Sequence, residues 1–329
     1  MTKKKMKRKN VSYKLRNWNF INEAGVVRGE FFLELDWVQN WHKELEEMNA
    51  GKVGSPYEFP ESMIQLQAFW HQFFSYRTVE GITRKVVSFS QLPKYNDFST
   101  INRRVNNGLY EIPKSDKVNI EAATDGSGMK MTLSGEYLED KHGKKSKRKK
   151  YIKVIVTGDV NEKDVLKVEV SLEGEGKSEP DCAMDHMQEL MNEGKIIKSF
   201  FGDGGLDKHE LFDFCDSHRI NPVIKLPENA VIDPGGGNRS WRRSVEVRKY
   251  KEKGYEGWAR KKRYGKRWPG TEGIFSAVKG IFGEDLRAKK IENMCTEARI
   301  KFWAYQKMKR YAEERVNGHP TFGLGSLNQ

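Results

Sequence analysis

The feature that most constrains the fold is a change of pattern after Pro113, where helical spacing of apolar residues gives way to strand-like segments. Upstream, apolar residues recur at helical spacing in three stretches between Phe31 and Phe89. Downstream come VNIEAATDGSGMKM, YIKVIVTGDV and VLKVEVSLEG, all rich in β-branched residues and separated by turn-forming stretches. This change predicts an all-helical region followed by an α/β domain.

The three strands are followed by alternating helices and strands. A helix is predicted between Ser178 and Gly194, followed by the strand IIKSFFGD, the helix HELFDFCDSHR and the strand NPVIKL. The order β-β-β-α-β-α-β predicts a mixed five-stranded sheet flanked by helices, with the first three strands as an antiparallel meander. This is the ribonuclease H-like order.

Charge indicates the class of partner. The chain has 59 basic and 46 acidic residues, a net charge of +13, so a polyanion and above all nucleic acid is expected. Seven basic residues, Lys147 and Arg148 among them, crowd into KHGKKSKRKK, which predicts a basic hairpin tip. Thirteen Lys or Arg lie between Arg239 and Arg267, with three tryptophans interleaved, and their charges and rings suit phosphates and unpaired bases. These tryptophans are Trp241, Trp258 and Trp268.

The helical region contains a candidate DNA-binding motif. A helix over 78–89 and a short one containing TINRRVNN resemble a helix-turn-helix, which would present Arg103 and Arg104 to the major groove. A small helical domain with merely exposed arginines is the alternative. We expect a basic tail over 1–28, a helical DNA-binding domain over 29–112 and a catalytic domain over 113–329.

The sequence argues against several classes of protein and of binding site. Residues 228–268 have no clear period and are expected to form a basic insertion or loop within the last domain. No run of 18 apolar residues exists, so we expect a soluble protein with no membrane partner. The three cysteines form no C-x-x-C pair, which argues against a zinc finger. No glycine-rich fingerprint joins a strand to a helix, so no nucleotide cofactor is expected.

Three acids are candidates for catalysis. Asp125 and Asp203 each follow an apolar strand and precede glycine, and Glu272 shares a helix face with Lys279. If folding brings the three carboxylates together, their repulsion calls for cations, and two Mg²⁺ ions could drive in-line phosphodiester displacement. The alternative is that the aspartates are turn residues and Glu272 an exposed acid at a helix start. Asp207 is a rival second carboxylate, although a capping box with Glu210 favours a structural role.

From about Tyr57 to Tyr311 the chain resembles the DDE transposases of bacterial and archaeal insertion sequences, especially the group numbered five and its relatives. TDGSGMKM looks like the first-aspartate strand of that family, and FFGDGGLDKHELF like its second-aspartate segment. Tyr264, Arg267, Glu272 and Lys279 are similar to its tyrosine, arginine, glutamate and lysine signature. Four residues instead of three separate Arg267 from Glu272, and either Arg267 or Lys266 could reach a phosphate.

The resemblance implies roles for these residues. Asp125, Asp203 and Glu272 would bind two Mg²⁺ ions, with Mn²⁺ as a substitute, and Arg267 and Lys279 would contact transposon-end DNA. The full set of expected DNA contacts is Tyr264, Arg267, Trp268, Lys279, Arg103, Arg104, Lys147 and Arg148.

The resemblance also implies a reaction and an assembly. A homodimer or higher oligomer on double-stranded DNA, in the cytoplasm and nucleoid of a prokaryote, would cleave terminal inverted repeats and transfer the strands. Two alternatives stay open. One is a non-catalytic DNA-binding descendant of a transposase, and the other is a metal-dependent nuclease on the same fold.

Overall fold

The computed structural model describes residues 17–90, 92–131, 151–232 and 241–318. These residues divide into two units, one comprising 17–35 with 308–318 and the other comprising 36–307. Across the described ranges, no helix combines the length and the apolar character needed to cross a membrane. The expected contacts Lys147 and Arg148 lie outside the described residues.

The smaller unit contains a helix in a stretch predicted to be a tail. Helix α1 (Trp18–Glu30) begins where the Asn17 side chain accepts a hydrogen bond from the backbone N–H of Phe20 at 3.1 Å. Ala24 and Val27 of this helix pack against Ala312. The prediction of a basic tail over 1–28 is therefore wrong from Trp18 onward, because two small apolar side chains give the segment a face to bury.

The larger unit starts with the predicted helical region, which is confirmed. Its helices are α2 (Asp36–Asn49), α3 (Glu61–His71), α4 (Tyr76–Ser90) and α5 (Phe98–Asn107). A buried polar cluster joins two of them to the segment before α5, since the Gln67 amide of α3 donates to Thr83 Oγ1 of α4 at 3.0 Å and to Asn96 Oδ1 at 2.7 Å. Asp97 then caps α5 by accepting from the backbone N–H groups of Ser99 and Thr100 at 2.8 Å each.

The sheet has the predicted ribonuclease H-like order, with β3, β2, β1, β4 and β5 side by side. The strands are β1 (Asn119–Met131), β2 (Tyr151–Asp159), β3 (Val165–Leu172), β4 (Ile196–Gly202) and β5 (Asn221–Ile224). The first three form the antiparallel meander, and β4 and β5 continue parallel to β1, which confirms the mixed sheet flanked by helices. A sixth strand, β6 (Asp285–Leu286), pairs with β1 and was not predicted because it has only two residues.

Helices cover the sheet and bring the site residues to it. They are α6 (Glu179–Asn192), α7 (His209–Ser217), α8 (Trp241–Lys262), α9 (Arg267–Gly270), α10 (Glu272–Phe282) and α11 (Ile291–Gly318). The core contains Phe200 and Phe201 of β4 together with Phe212 of α7 and Met187 of α6. Burial of these large side chains supplies the main driving force for closing the helices on the sheet.

Helix α8 corrects the expectation of a loop over 228–268. Residues 241–262 are helical, with a kink at Gly254, whose φ of 64° suits glycine. Glu246, only 1% exposed, pairs with Lys249 at 2.9 Å and Lys262 at 2.8 Å, and Trp258 is buried in the core. The loop prediction failed because these ion pairs bury charged residues and hide the apolar period. Trp258 cannot stack on a base, whereas Trp241 and Trp268 are exposed.

Candidate active site

The first predicted carboxylate lies near the centre of β1. Asp125 stands opposite Val156 of β2, and its Oδ1 accepts from the backbone N–H of Gly126 at 2.9 Å. Burial raises the pKa of the Asp125 carboxyl to about 6, while the Arg267 guanidinium opposes the rise and the charges of Asp203 and Glu179 add to it. Asp125 is therefore surrounded by both cationic and anionic side chains.

The second carboxylate comes to the same edge of the sheet through strand register. In the parallel pair β1–β4, Ala123 lies opposite Phe201, and Asp125 and Asp203 each follow two residues later. The Asp203 side chain caps a short 3₁₀ turn (Gly204–Leu206), accepting from the N–H of Gly205 at 2.9 Å. Parallel register thus places Asp125, within β1, beside Asp203, which directly follows β4.

The third carboxylate, Glu272, begins α10 and reaches the site through an arginine. Arg267, buried on α9, donates from Nη2 to Glu272 Oε1 at 3.0 Å and approaches Asp125 Oδ2 with Nη1 at 3.5 Å. Its Nε has no hydrogen-bond partner among the described residues. Residues 147 positions apart in the sequence therefore share one guanidinium, with Glu272 as the closer partner.

A fourth carboxylate, which was not predicted from the sequence, lies beside the two aspartates. Glu179 is the first residue of α6, and its Oε1 accepts from Lys153 Nζ of β2 at 2.9 Å. A Cβ on Gly126 would meet this oxygen at 2.5 Å, and a Cβ on Gly205 would lie 3.8 Å from Oε2. One signal was available: β3 runs in the same direction as β1, so a helix that starts after β3 starts at the aspartates' edge.

Within the described ranges, no group of three or more His, Cys, Asp or Glu side chains is spaced to hold a metal ion. Instead, the Arg267 guanidinium lies between Asp125 and Glu272. The donor set nevertheless suits a hard divalent cation, because it consists of carboxylate oxygens, and a cationic group already occupies the space between two of them. The chemistry of these side chains thus suits a hard divalent cation such as Mg²⁺ or Mn²⁺.

Lys279, the predicted partner of Glu272 on α10, is tied to the first-aspartate strand. Its Nζ donates to Ser127 Oγ and to the carbonyl of Gly128, both at 3.0 Å. The Glu284 carboxylate lies 3.8 Å away. These contacts hold the ammonium group two to three residues beyond Asp125 along β1.

A cavity of about 400 Å³ opens next to Asp203. The aromatic side chains that line it are Tyr255, Tyr264 and Trp268, and Lys225 and Arg267 contribute cations. Tyr264 is buried, and burial raises the pKa of its hydroxyl to about 12. Trp268 is 57% exposed. The site thus combines acids with an aromatic, cationic wall.

Two further predictions concern single residues. Asp207 does not cap α7: Lys208 occupies the N-cap, and Arg243 of α8 grips the Asp207 carboxylate with two hydrogen bonds of 2.7 Å. The capping box is wrong because a bidentate arginine binds a carboxylate more strongly than a backbone N–H does. On α5, Arg103 is exposed, while Arg104 pairs with Glu61 at 2.8 Å.

Comparison with known proteins gives the family. Two family models, both described as transposase DDE domain, match residues 26–134 and 119–306. No curated protein matches the chain significantly. Among solved structures, the crystal structure of the Mos1 strand transfer complex is 10% identical with a TM-score of 0.24, covering 81% of this chain and 80% of that one.

A second solved structure, the Mos1 mariner paired end complex with Mn, is 11% identical with a TM-score of 0.23. It covers 95% of this chain and 81% of that one. The family matches, of which the second alone spans more than half of the sequence, are decisive: the chain belongs to the transposase DDE domain family.

Proposed function

We propose that this chain binds the terminal inverted repeats of an insertion sequence, cleaves the DNA at their ends and joins the ends to a target. One observation carries the proposal. Asp125 and Glu272, distant in sequence, meet on the Arg267 guanidinium, and Asp203 stands at the neighbouring strand end. This is the arrangement expected of carboxylates that act together on one phosphodiester.

Asp125, Asp203 and Glu272 would hold the divalent ions, Mg²⁺ or Mn²⁺. When bound, two such ions activate a water or a 3′-hydroxyl and stabilise the leaving oxygen of an in-line displacement. Arg267 offsets part of the negative charge of Asp125 and Glu272, and its guanidinium would also be able to bind a phosphate.

Other side chains bind and orient DNA in this proposal. Lys279, fixed by Ser127 and Gly128, offers an ammonium group to a phosphate beside Asp125. The aromatic cavity next to Asp203 suits an unpaired base, with exposed Trp268 as its stacking surface. On the basis of the family resemblance, the proposal also includes an oligomer of this chain that holds paired transposon ends.

A basic surface on the second half of α8 supports DNA binding. Lys253 and Lys261 are exposed, and they lie so close that Lys253 lowers the pKa of Lys261. Two ammonium groups in such proximity gain from an anion placed between them. On the helical region, exposed Arg103 of α5 supports major-groove contact, whereas Arg104 would first have to leave Glu61.

The test uses a donor plasmid that carries the coding sequence with its natural flanking DNA, Mg²⁺, and a labelled target plasmid. Wild type should cleave at matched inverted repeats and join the ends to the target. Asp125→Ala, Asp203→Ala and Glu272→Ala should abolish both steps while retaining end binding, and Asp213→Ala, an exposed aspartate of α7, is the matched control.

Each outcome separates the alternatives. Cleavage without joining would identify a metal-dependent nuclease. End binding without cleavage by wild type would identify a non-catalytic descendant. Undiminished activity in any one of the three alanine variants would remove that residue from the site.

A further inference from the structure

Glu179 occupies a position that links the two aspartates. The point where a Cβ would stand on Gly205 lies 3.1 Å from Asp203 Oδ1 and 3.8 Å from Glu179 Oε2. On β1, the N–H of Gly126 binds Asp125 Oδ1, and the missing Cβ of the same glycine leaves the space that Glu179 Oε1 fills. Glu179 therefore reaches Gly126, the residue after Asp125, and Gly205, the second residue after Asp203.

The local structure places Glu179 at the start of α6. Ser178 caps α6 through its side chain, which accepts from the N–H of Asp181 at 3.3 Å, so Glu179 stands in the first turn. The positive end of the helix dipole stabilises a carboxylate at this position. Lys153 of β2 supplies the one ion pair that Glu179 makes among the described residues.

Charge at this edge of the sheet favours a divalent ion. The acids are Asp125, Asp203, Glu179 and Glu272, and in the described part of the chain the cations in contact with them are Arg267 and Lys153. The four carboxylates exceed the two cations by two negative charges, which one divalent cation would balance. Both cations are on long side chains that can withdraw when an ion enters.

We propose that Glu179 is a fourth carboxylate of the metal site: it holds a divalent ion or its bound water beside Asp125 and Asp203, in exchange for Lys153. The inference rests on the proposed function, because it assigns a further residue to the same site. It differs from a purely structural role, in which Glu179 would serve only to pair with Lys153 across α6 and β2.

Mn²⁺ binding to the full chain without DNA tests the inference, measured by water-proton relaxation. Glu179→Gln should weaken Mn²⁺ binding about tenfold, as loss of a supporting carboxylate does at other metal sites. The control Glu175→Gln, an exposed acid four residues earlier, should bind as wild type does. Lys153→Met should tighten Mn²⁺ binding when Glu179 is present and change nothing in the Glu179→Gln background.

The outcomes distinguish this inference from the proposed function. If Asp125→Asn loses Mn²⁺ while Glu179→Gln binds as wild type does, the metal site stands and the role of Glu179 is overturned. If wild type binds no Mn²⁺, both are overturned. Circular dichroism checks the fold of each variant, and should Glu179→Gln fail to fold, a Lys153→Met variant with unchanged affinity would overturn the inference by itself.

Discussion

Arg267 donates to Glu272 across 3.0 Å from a helix of only four residues, while the same guanidinium reaches Asp125 on β1. One buried cation thus sets the separation of two proposed catalytic acids. Because the side chains of Arg267 and Asp125 are mostly buried, the pairing is screened less by solvent than a surface ion pair would be.

Replacing Arg267 should therefore destabilise the metal-free protein. Arg267→Gln leaves Asp125 and Glu272 without a counter-charge, and we expect the free energy of unfolding in urea to fall by about 2 kcal/mol. Added Mg²⁺ should restore more stability in the variant than in wild type, because the ion substitutes for the lost cation. Arg263→Gln, an exposed neighbour, is the control. Equal Mg²⁺ increments in variant and wild type would contradict the prediction.

Lys279 should contribute to DNA binding through one phosphate. Lys279→Met keeps the apolar stem but removes the hydrogen bonds to Ser127 and Gly128. We expect weaker binding to the transposon ends and a slope of log K against log salt that is smaller by about one. Fluorescence anisotropy over a series of salt concentrations measures both. A lower affinity with an unchanged slope would mean that Lys279 only stiffens the contact between α10 and β1.

The basic surface of α8 should show a larger effect of the same kind. The double variant Lys253→Gln with Lys261→Gln removes two neighbouring charges, so the salt slope should fall by about two, with similar loss on any DNA sequence. The control double variant alters two other exposed lysines, Lys163 and Lys198. Lys198 lies on β4 before Asp203, toward the opposite end of the strand. Equal losses in both double variants would argue for a diffuse charge effect without a defined surface.

The order of strands and the positions of Asp125 and Asp203 were predictable because they depend on local pattern. β-Branched segments mark the strands, and parallel register then aligns two residues that each follow a strand core. Glu179 was not predictable in the same way. Its place in the site depends on how α6 packs over Gly126, which is a tertiary contact that no spacing along the chain encodes.

Buried charge explains two of the wrong predictions. The sequence of α8 has the pattern of a solvated basic stretch, but in the structure the buried Glu246 pairs with Lys249 and with the mostly buried Lys262. The sequence around Asp207 predicts a helix cap, but in the structure Arg243, 36 residues later, binds its carboxylate. In both cases the ion-pair partner cannot be identified from the sequence, because it is remote or one of several candidates. The charge pattern alone therefore favoured a solvent-exposed residue.

Two buried histidines should make stability depend on pH. Burial lowers the pKa of both His71 and His186 to about 4, and His186 Nδ1 lies 2.8 Å from Thr157 Oγ1, which in turn bonds Thr124 beside Asp125. In the unfolded chain a histidine has a pKa near 6.5, so between about pH 6.5 and 4 the unfolded state binds more protons than the folded state. Stability should therefore be full above pH 6.5 and fall as the pH drops.

From pH 7 to pH 5 the loss should be about 1–2 kcal/mol for each histidine, measured by urea unfolding at both pH values. His186→Gln should reduce this loss of stability by the amount that one histidine contributes. His218→Gln, an exposed residue, should leave it unchanged. A His186→Gln protein whose stability still falls as steeply as that of wild type would contradict the assignment.

The role of the glycines that follow Asp125 and Asp203 can also be tested. One explanation for glycine at these positions is that it lets a DNA backbone approach closely, whereas the structure fills the space at Gly126 with Glu179 Oε1. Gly126→Ala should leave stability within about 1 kcal/mol of wild type, since the carboxylate can swing away, but should lower Mn²⁺ affinity as Glu179→Gln does. Gly204→Ala is the matched control, because its nearest neighbour, the Lys225 carbonyl, would lie at an ordinary 3.7 Å. Were close DNA approach the main reason for both glycines, the two alanine variants would impair end cleavage alike and neither would change Mn²⁺ binding.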